Sequence, residues 1–150
     1  MEKNICIVGA RGYHYPYGGW ETFVDNLIDN TKDKTIKYYI TNLTHEKKEK
    51  KKISYQSNVE IHNIFVPAQG FVTMFTFTII SISHFIRYIK KKKMKNVILV
   101  VLGCKVGPLF LIWRPILHKL GVKIIINPDG LEWKREKWAW WIKQCFKISE

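Results

Sequence analysis

Apolar positions along the chain alternate between short continuous runs and longer stretches with helical spacing. Ile5-Cys6-Ile7-Val8 is a continuous run that predicts a buried first strand ending in a Gly9-Ala10-Arg11-Gly12 turn. Over residues 20–30, Phe23, Leu27 and Ile28 recur on one side of a helix, with Glu21, Asp25 and Asp29 around it. Thr22 and the acidic first turn suit a helix start. Residues 35–41 are β-branched and aromatic and predict a second strand. Residues 59–66 give one or two short strands, closed by Pro67 and Gly70. Residues 96–101 form a continuous apolar strand of the kind found at the centre of a parallel sheet. Pro108 is placed to open a helix through about residue 118, and Gly121 ends it. Residues 122–126 then predict another buried strand.

The stretch 71–89 is apolar enough to raise the question of a membrane span. Val72, Phe75, Ile79, Ile82, Ile86 and Ile89 recur at steps of three and four, which is one helical face. Thr73, Thr76, Ser83, Arg87 and Lys90 line another. A spanning helix is apolar all round over about 20 residues, whereas this one carries His84 and Arg87. The pattern favours an amphipathic helix packed on a sheet, its lysines at the negative pole of the helix dipole.

Strands and helices alternate, so the expected fold class is α/β: a Rossmann-like, doubly wound parallel sheet in one domain spanning residues 1–150. Ligands of such sheets bind beyond the carboxyl ends of the strands. Three loops are expected there: residues 11–21, 103–108 and 127–135. The first contains Tyr17-Gly18-Gly19-Trp20-Glu21-Thr22, glycines at a helix N-terminus. Backbone N–H groups at such a place can face an anion, and glycine lets a ligand approach the main chain. A plain turn is the competing reading. A dinucleotide site would need G-x-G-x-x-G and an acidic residue ending the second strand. Gly9 and Gly12 are spaced differently and the second strand ends in Thr41-Asn42, so NAD and FAD are disfavoured.

Composition narrows the class. The chain has 150 residues, 47% of them hydrophobic and 14% aromatic, which argues against disorder. A formal net charge of +13 points to anionic partners: phosphates, nucleic acid or lipid headgroups. Cys6, Cys104 and Cys145 are odd in number and far apart, which suggests reduced thiols in a cytoplasmic protein with neither disulfide nor zinc site. The N-terminus is expected to lack a signal peptide. The lysine-rich run 46–52 reads as a solvated loop or as a contact to anionic lipid.

In the third loop, Pro128 and Gly130 fix a turn and leave Asp129 where a strand end would present it to a ligand. An Asp-Gly turn held by its own hydrogen bonds is the alternative. Trp133, Trp138, Trp140 and Trp141 interleave with Lys134, Arg135, Lys137 and Lys143. That mixture suits a lipid interface or nucleic acid, and core-facing indoles with solvated lysines would explain part of it.

Several of these motifs, in this order, resemble bacterial rhamnosyltransferases of glycosyltransferase family 4. They are Ile7-Val8-Gly9-Ala10-Arg11-Gly12, Tyr17-Gly18-Gly19-Trp20-Glu21-Thr22-Phe23-Val24, Leu102-Gly103-Cys104 with Gly107-Pro108, and Asn127-Pro128-Asp129-Gly130-Leu131-Glu132-Trp133-Lys134-Arg135 with Lys137-Trp138. The closing Phe146-Lys147-Ile148-Ser149-Glu150 is similar too. Tyr13-His14-Tyr15-Pro16 and Trp20 depart from the pattern.

The resemblance implies the N-terminal, acceptor-side half of a GT-B fold, acting by retention without an essential metal or cofactor. It implies a nucleotide-sugar donor, dTDP-rhamnose in many members, and a lipid-linked saccharide acceptor of capsule or cell-wall synthesis. Arg11, Gly12, Gly18, Gly19 and Glu21 would bind the donor phosphates, and Asp129 would be catalytic. Gly103, Gly107, Gly130, Glu132, Lys134 and Arg135 would lie on the acceptor side. Trp133, Lys137 and Trp138 would face an anionic membrane, making the protein peripheral at the cytoplasmic face of the plasma membrane, with no nucleic-acid partner. GT-B enzymes run to more than twice this length. The expectation is therefore a chain inactive alone, completed by a C-terminal-domain partner. A non-enzymatic basic module for anionic membrane or nucleic acid is the alternative.

Overall fold

In the computed structural model, residues 2–16, 18–49, 52–67, 71–103, 109–128, 134, 140, 143 and 144 are described. Lys3–Val8 (β1), Ile36–Thr44 (β2), Ile53–Gln56 (β3), Val59–Phe65 (β4), Val97–Leu102 (β5) and Lys123–Asn127 (β6) form one sheet in the order β3-β4-β2-β1-β5-β6. Every neighbouring pair is parallel except β3 with β4. Among the described residues there are three α-helices: Gly19–Asp29 (α1), Phe71–Lys92 (α2) and Phe110–Lys119 (α3). The fold is α/β with a six-stranded, mostly parallel mixed sheet.

Side-chain alternation along the central strands sorts the core into two layers. Cys6 and Val8 of β1 join Leu99 and Val101 of β5 beneath Ile82, Phe85 and Ile89 of α2 and Trp113 and Leu117 of α3. Ile7, Ile40 and Ile61 point the other way, onto Val24 and Ile28 of α1. Helices thus cover both faces, which explains why residues 5–8 of β1 and all of β5 are apolar without interruption. Burial pushes the Cys6 thiol well above its ordinary range, so this free cysteine stays protonated. Cys104 and Cys145 lie outside the described residues.

The structure corrects the sequence reading in four places. The sheet is mixed, because β3 folds back on β4 as an exposed antiparallel edge through a turn at Ser57 and Asn58, with Ser57 at φ 54°. Its mixed polar and apolar residues carried no clear period. Next, β2 runs on to Thr44, since Asn42, Leu43 and Thr44 find partners in Asn63, Ile64 and Phe65 of β4.

The buried face of α2 is also rotated from the expected one. Thr73, Phe77, Thr78, Ser81, Ile82, Phe85 and Ile89 are buried, while Val72 is exposed. The Thr78 hydroxyl donates to the Met74 carbonyl at 2.8 Å. Such back-bonding satisfies a small polar side chain and lets it face the sheet. By length and composition alone α2 could cross a membrane, a test that core helices of this kind also pass. Finally, β6 is an edge strand among the described residues, with Ile125 and Ile126 exposed where a buried strand was expected. Its neighbour α3 begins after Leu109 and carries Pro115 inside it. Pro108, the expected helix opener, lies outside the described residues.

Candidate functional site

Strand order reverses at β1, with β2 on one side and β5 on the other. The chain leaves β1 towards α1 and leaves β5 towards α3, on opposite faces of the sheet. In open α/β sheets the crevice at such a reversal, beyond the carboxyl ends of the strands, is the usual ligand position. Gly9, Gly12, Gly18, Gly19 and Gly103 all lie in the segments that follow β1 and β5.

The glycines differ in what they are for. A Cβ on Gly9 would stand 2.2 Å from the Leu102 carbonyl oxygen, so Gly9 permits the close approach of the ends of β1 and β5. A Cβ on Gly12 would meet Asn42 Oδ1 at 1.7 Å. Gly18 has φ 136° and ψ 148°, a backbone region essentially closed to other residues. A Cβ there would also collide with Glu21 Oε2 at 1.8 Å. Gly19 is different: an added Cβ would meet nothing within 4 Å. One glycine of the pair is required by the fold, and the other opens onto free space.

Glu21 reaches inward. It is buried, and its Oε1 accepts the Arg11 N–H at 2.8 Å. Other bonds brace the same loop. The Arg11 carbonyl accepts the Leu43 N–H at 2.7 Å, the Tyr13 hydroxyl donates to Asp29 Oδ1 at 2.7 Å, and the His14 N–H donates to Asp25 Oδ1 at 2.9 Å. Burial, followed by the Asp29 bond and charge, raises the Tyr13 pKa to about 12, so it remains a donor. The Arg11 guanidinium lies 5.8 Å from the centre of the Tyr15 ring. Residues 11–14 are thus strapped along α1 and the end of β2.

The helix N-terminus itself has no side-chain cap at Gly18. The Gly18 carbonyl accepts both the Thr22 N–H and the Thr22 hydroxyl at 3.1 Å. First-turn donors with no capping side chain are what an anion at this position would use. Asn42 Oδ1 and Trp20 Nε1, on the α1 side of the same region, are buried without a hydrogen-bond partner. Buried polar atoms of this kind need a partner from outside the chain or a water.

Of the residues expected on the acceptor side, Gly103 donates its N–H to the Asn127 carbonyl at 2.8 Å, which ties the ends of β5 and β6 together. Lys134 is exposed. Gly107, Asp129, Gly130, Glu132, Trp133, Arg135, Lys137 and Trp138 lie outside the described residues.

A second polar cluster escaped the sequence reading. His62 of β4 is buried, with its Nδ1 2.9 Å from His84 Nε2 of α2. The Tyr88 hydroxyl donates to Glu60 Oε1, which also lies 3.1 Å from His62 Nε2. That second contact lacks hydrogen-bond geometry, and His62 Nε2 has no bond. The signal was present as Glu60 and His62 two apart on a strand and His84 and Tyr88 four apart on a helix. No group able to hold a metal occurs among the described residues. A cavity of about 150 Å³ beside it is lined by Lys37, Tyr39, Tyr55 and Glu60, near the amino end of β2. Typical ligand pockets are about 300–1,000 Å³, so it is too small for a nucleotide sugar.

A family model described as a domain of unknown function (DUF1972) matches residues 2–150. The chain belongs to the DUF1972 family. No curated protein matches this DUF1972 chain significantly. The family description names no reaction.

Proposed function

We propose that this DUF1972 domain is the Rossmann-like, acceptor-side half of a GT-B glycosyltransferase, which transfers a sugar from a nucleotide donor to a lipid-linked acceptor. The observation that carries the reading is Gly18-Gly19 at the strand-order reversal. One glycine shapes the start of α1, and the other leaves an uncapped helix N-terminus open to a diphosphate. The motif resemblance points the same way and makes dTDP-rhamnose the donor to try first.

In this reading Gly18 and Gly19 lie against the donor phosphates. Glu21 holds the loop through the Arg11 N–H and touches no phosphate itself, since a carboxylate would repel it. Asp129 supplies the carboxylate beside the transferring sugar. Sugar transfer requires donor and acceptor held together, and such positioning is worth about 7–11 kcal/mol of a barrier. One sheet offers one wall of that cleft, so activity requires a second domain.

The test is transfer of labelled rhamnose from dTDP-rhamnose to membrane lipid extract. It compares the chain alone with the chain joined to the C-terminal domain of a full-length family 4 rhamnosyltransferase. Transfer by the joined protein only is the expected result. No transfer by either, with the joined protein folded, would count against the reading.

A further inference from the structure

The charges of this domain are segregated by layer. The helix on one face, α1, carries Glu21, Asp25 and Asp29 and no basic residue. The helices on the other face, α2 and α3, contain no acidic residue. Along the outside of that layer Arg87, Lys90, Lys91, Lys92, Lys93, Arg114 and Lys119 are exposed. The same two helices also expose apolar side chains. Leu111 and Ile112 of α3 are 80% and 62% exposed, and Ile116 and Pro115 beside them are exposed as well. The opposite stripe of α3, Trp113 and Leu117, is already buried in the core, so its outer stripe is not needed for folding onto the sheet. Val72 and Ile80 add to the apolar part on α2.

We propose that the outer face of the α2–α3 layer docks on an anionic lipid bilayer. Leu111, Ile112 and Ile116 enter the headgroup boundary, and the α2 and α3 cations lie over the phosphates. Charge decides among the possible occupants. A second copy would bring two chains of net charge +13 together through a face with no anion on its helices. An anionic bilayer supplies both the apolar phase and the opposite charge that an amphipathic basic helix requires. The surface differs from Trp133, Lys137 and Trp138 of the sequence reading, and it holds whether or not the crevice transfers sugar.

Co-sedimentation of the whole chain with vesicles tests this. Phosphatidylcholine vesicles with one part in four phosphatidylglycerol are compared with phosphatidylcholine alone, at low and high salt. Wild type is expected to pellet with the anionic vesicles and to be released by salt. Leu111→Glu with Ile112→Glu should weaken binding by at least about tenfold and leave the melting temperature unchanged, because both side chains face solvent. Lys91→Glu with Lys92→Glu should also weaken binding and flatten its salt dependence.

Wild type that stays in the supernatant would overturn the proposal, as would a Leu111/Ile112 variant that pellets like wild type. A large fall in melting temperature in that variant would mean the chain's own residues cover the face. Self-association of wild type abolished in the variant would mean a second copy does. Either result also overturns it.

Discussion

His62 Nδ1 and His84 Nε2 lie 2.9 Å apart, so that two imidazoles join β4 to α2 through a single hydrogen bond. One ring must donate and the other accept. That is satisfied when both are neutral, and also when His84 alone is charged. Protonating His62 as well sets two N–H groups against each other. Burial, and secondly the His84 charge, lower the His62 pKa to about 4.

The sign of the pH effect follows. An unfolded histidine titrates near 6.5 and folded His62 near 4, so between these values the unfolded chain binds the extra proton. The His62 contribution is fully present above the upper value and is lost as pH falls through the window towards the lower one. Urea midpoints of wild type and His62→Gln, taken at steps from neutral pH down to the lower value, check this. The wild-type advantage should shrink steadily with acid. A constant difference at every pH would show that His62 does not titrate across the window.

The two neighbouring glycines should respond differently to alanine. Gly18→Ala meets both a forbidden backbone region and the Glu21 carboxylate. Backbone strain of this kind costs about 1–3 kcal/mol. Gly19→Ala enters free space inside a helix, where replacing glycine gains about 0.4–1 kcal/mol when the conformation fits. Urea unfolding of both variants is the measurement. Equal effects would contradict the separate roles assigned to them.

Much of this arrangement was legible in the chain itself. Residues 5–8 read as a buried strand and 96–101 as a central one because both faces of β1 and β5 are covered. Gly18 marked the start of α1 because no other residue type suits its backbone. Periodicity failed where both sides of an element are apolar or its small polar residues bond to the backbone. On α2 Thr73 is buried and Val72 exposed, and Thr78 faces inward while bonding to the Met74 carbonyl. Spacing also said nothing of direction. Glu21 turns inward to Arg11, a contact ten positions back that depends on tertiary structure. The His62–His84 contact is hidden likewise, since it joins residues 22 positions apart.

Expressed in cells, the chain should leave membranes under carbonate extraction. Phe77, Ile82, Phe85 and Ile89 of α2 are buried in the domain, and Arg87 is exposed on the same helix. An arginine at a bilayer centre costs about 2.5–3.5 kcal/mol even on the most lenient scale. A docked α3 would be stripped by carbonate, whereas a spanning α2 would not. Retention in the extracted pellet would contradict the packing of α2 on the sheet as its resting place.

The central claim is that the glycine crevice and the Asp129 loop form one wall of a sugar-transfer site. The most direct measurement is turnover of dTDP-rhamnose by the joined two-domain protein and its variants, with the melting temperature followed in parallel. Gly19→Val should weaken donor use, because its side chain would fill the free space beside the helix N-terminus. Asp129→Asn keeps the turn-forming shape and removes the charge. It should lower turnover by about 10²–10⁴-fold at unchanged melting temperature. Wild-type turnover in Asp129→Asn, or transfer by the 150-residue chain alone, would contradict the account.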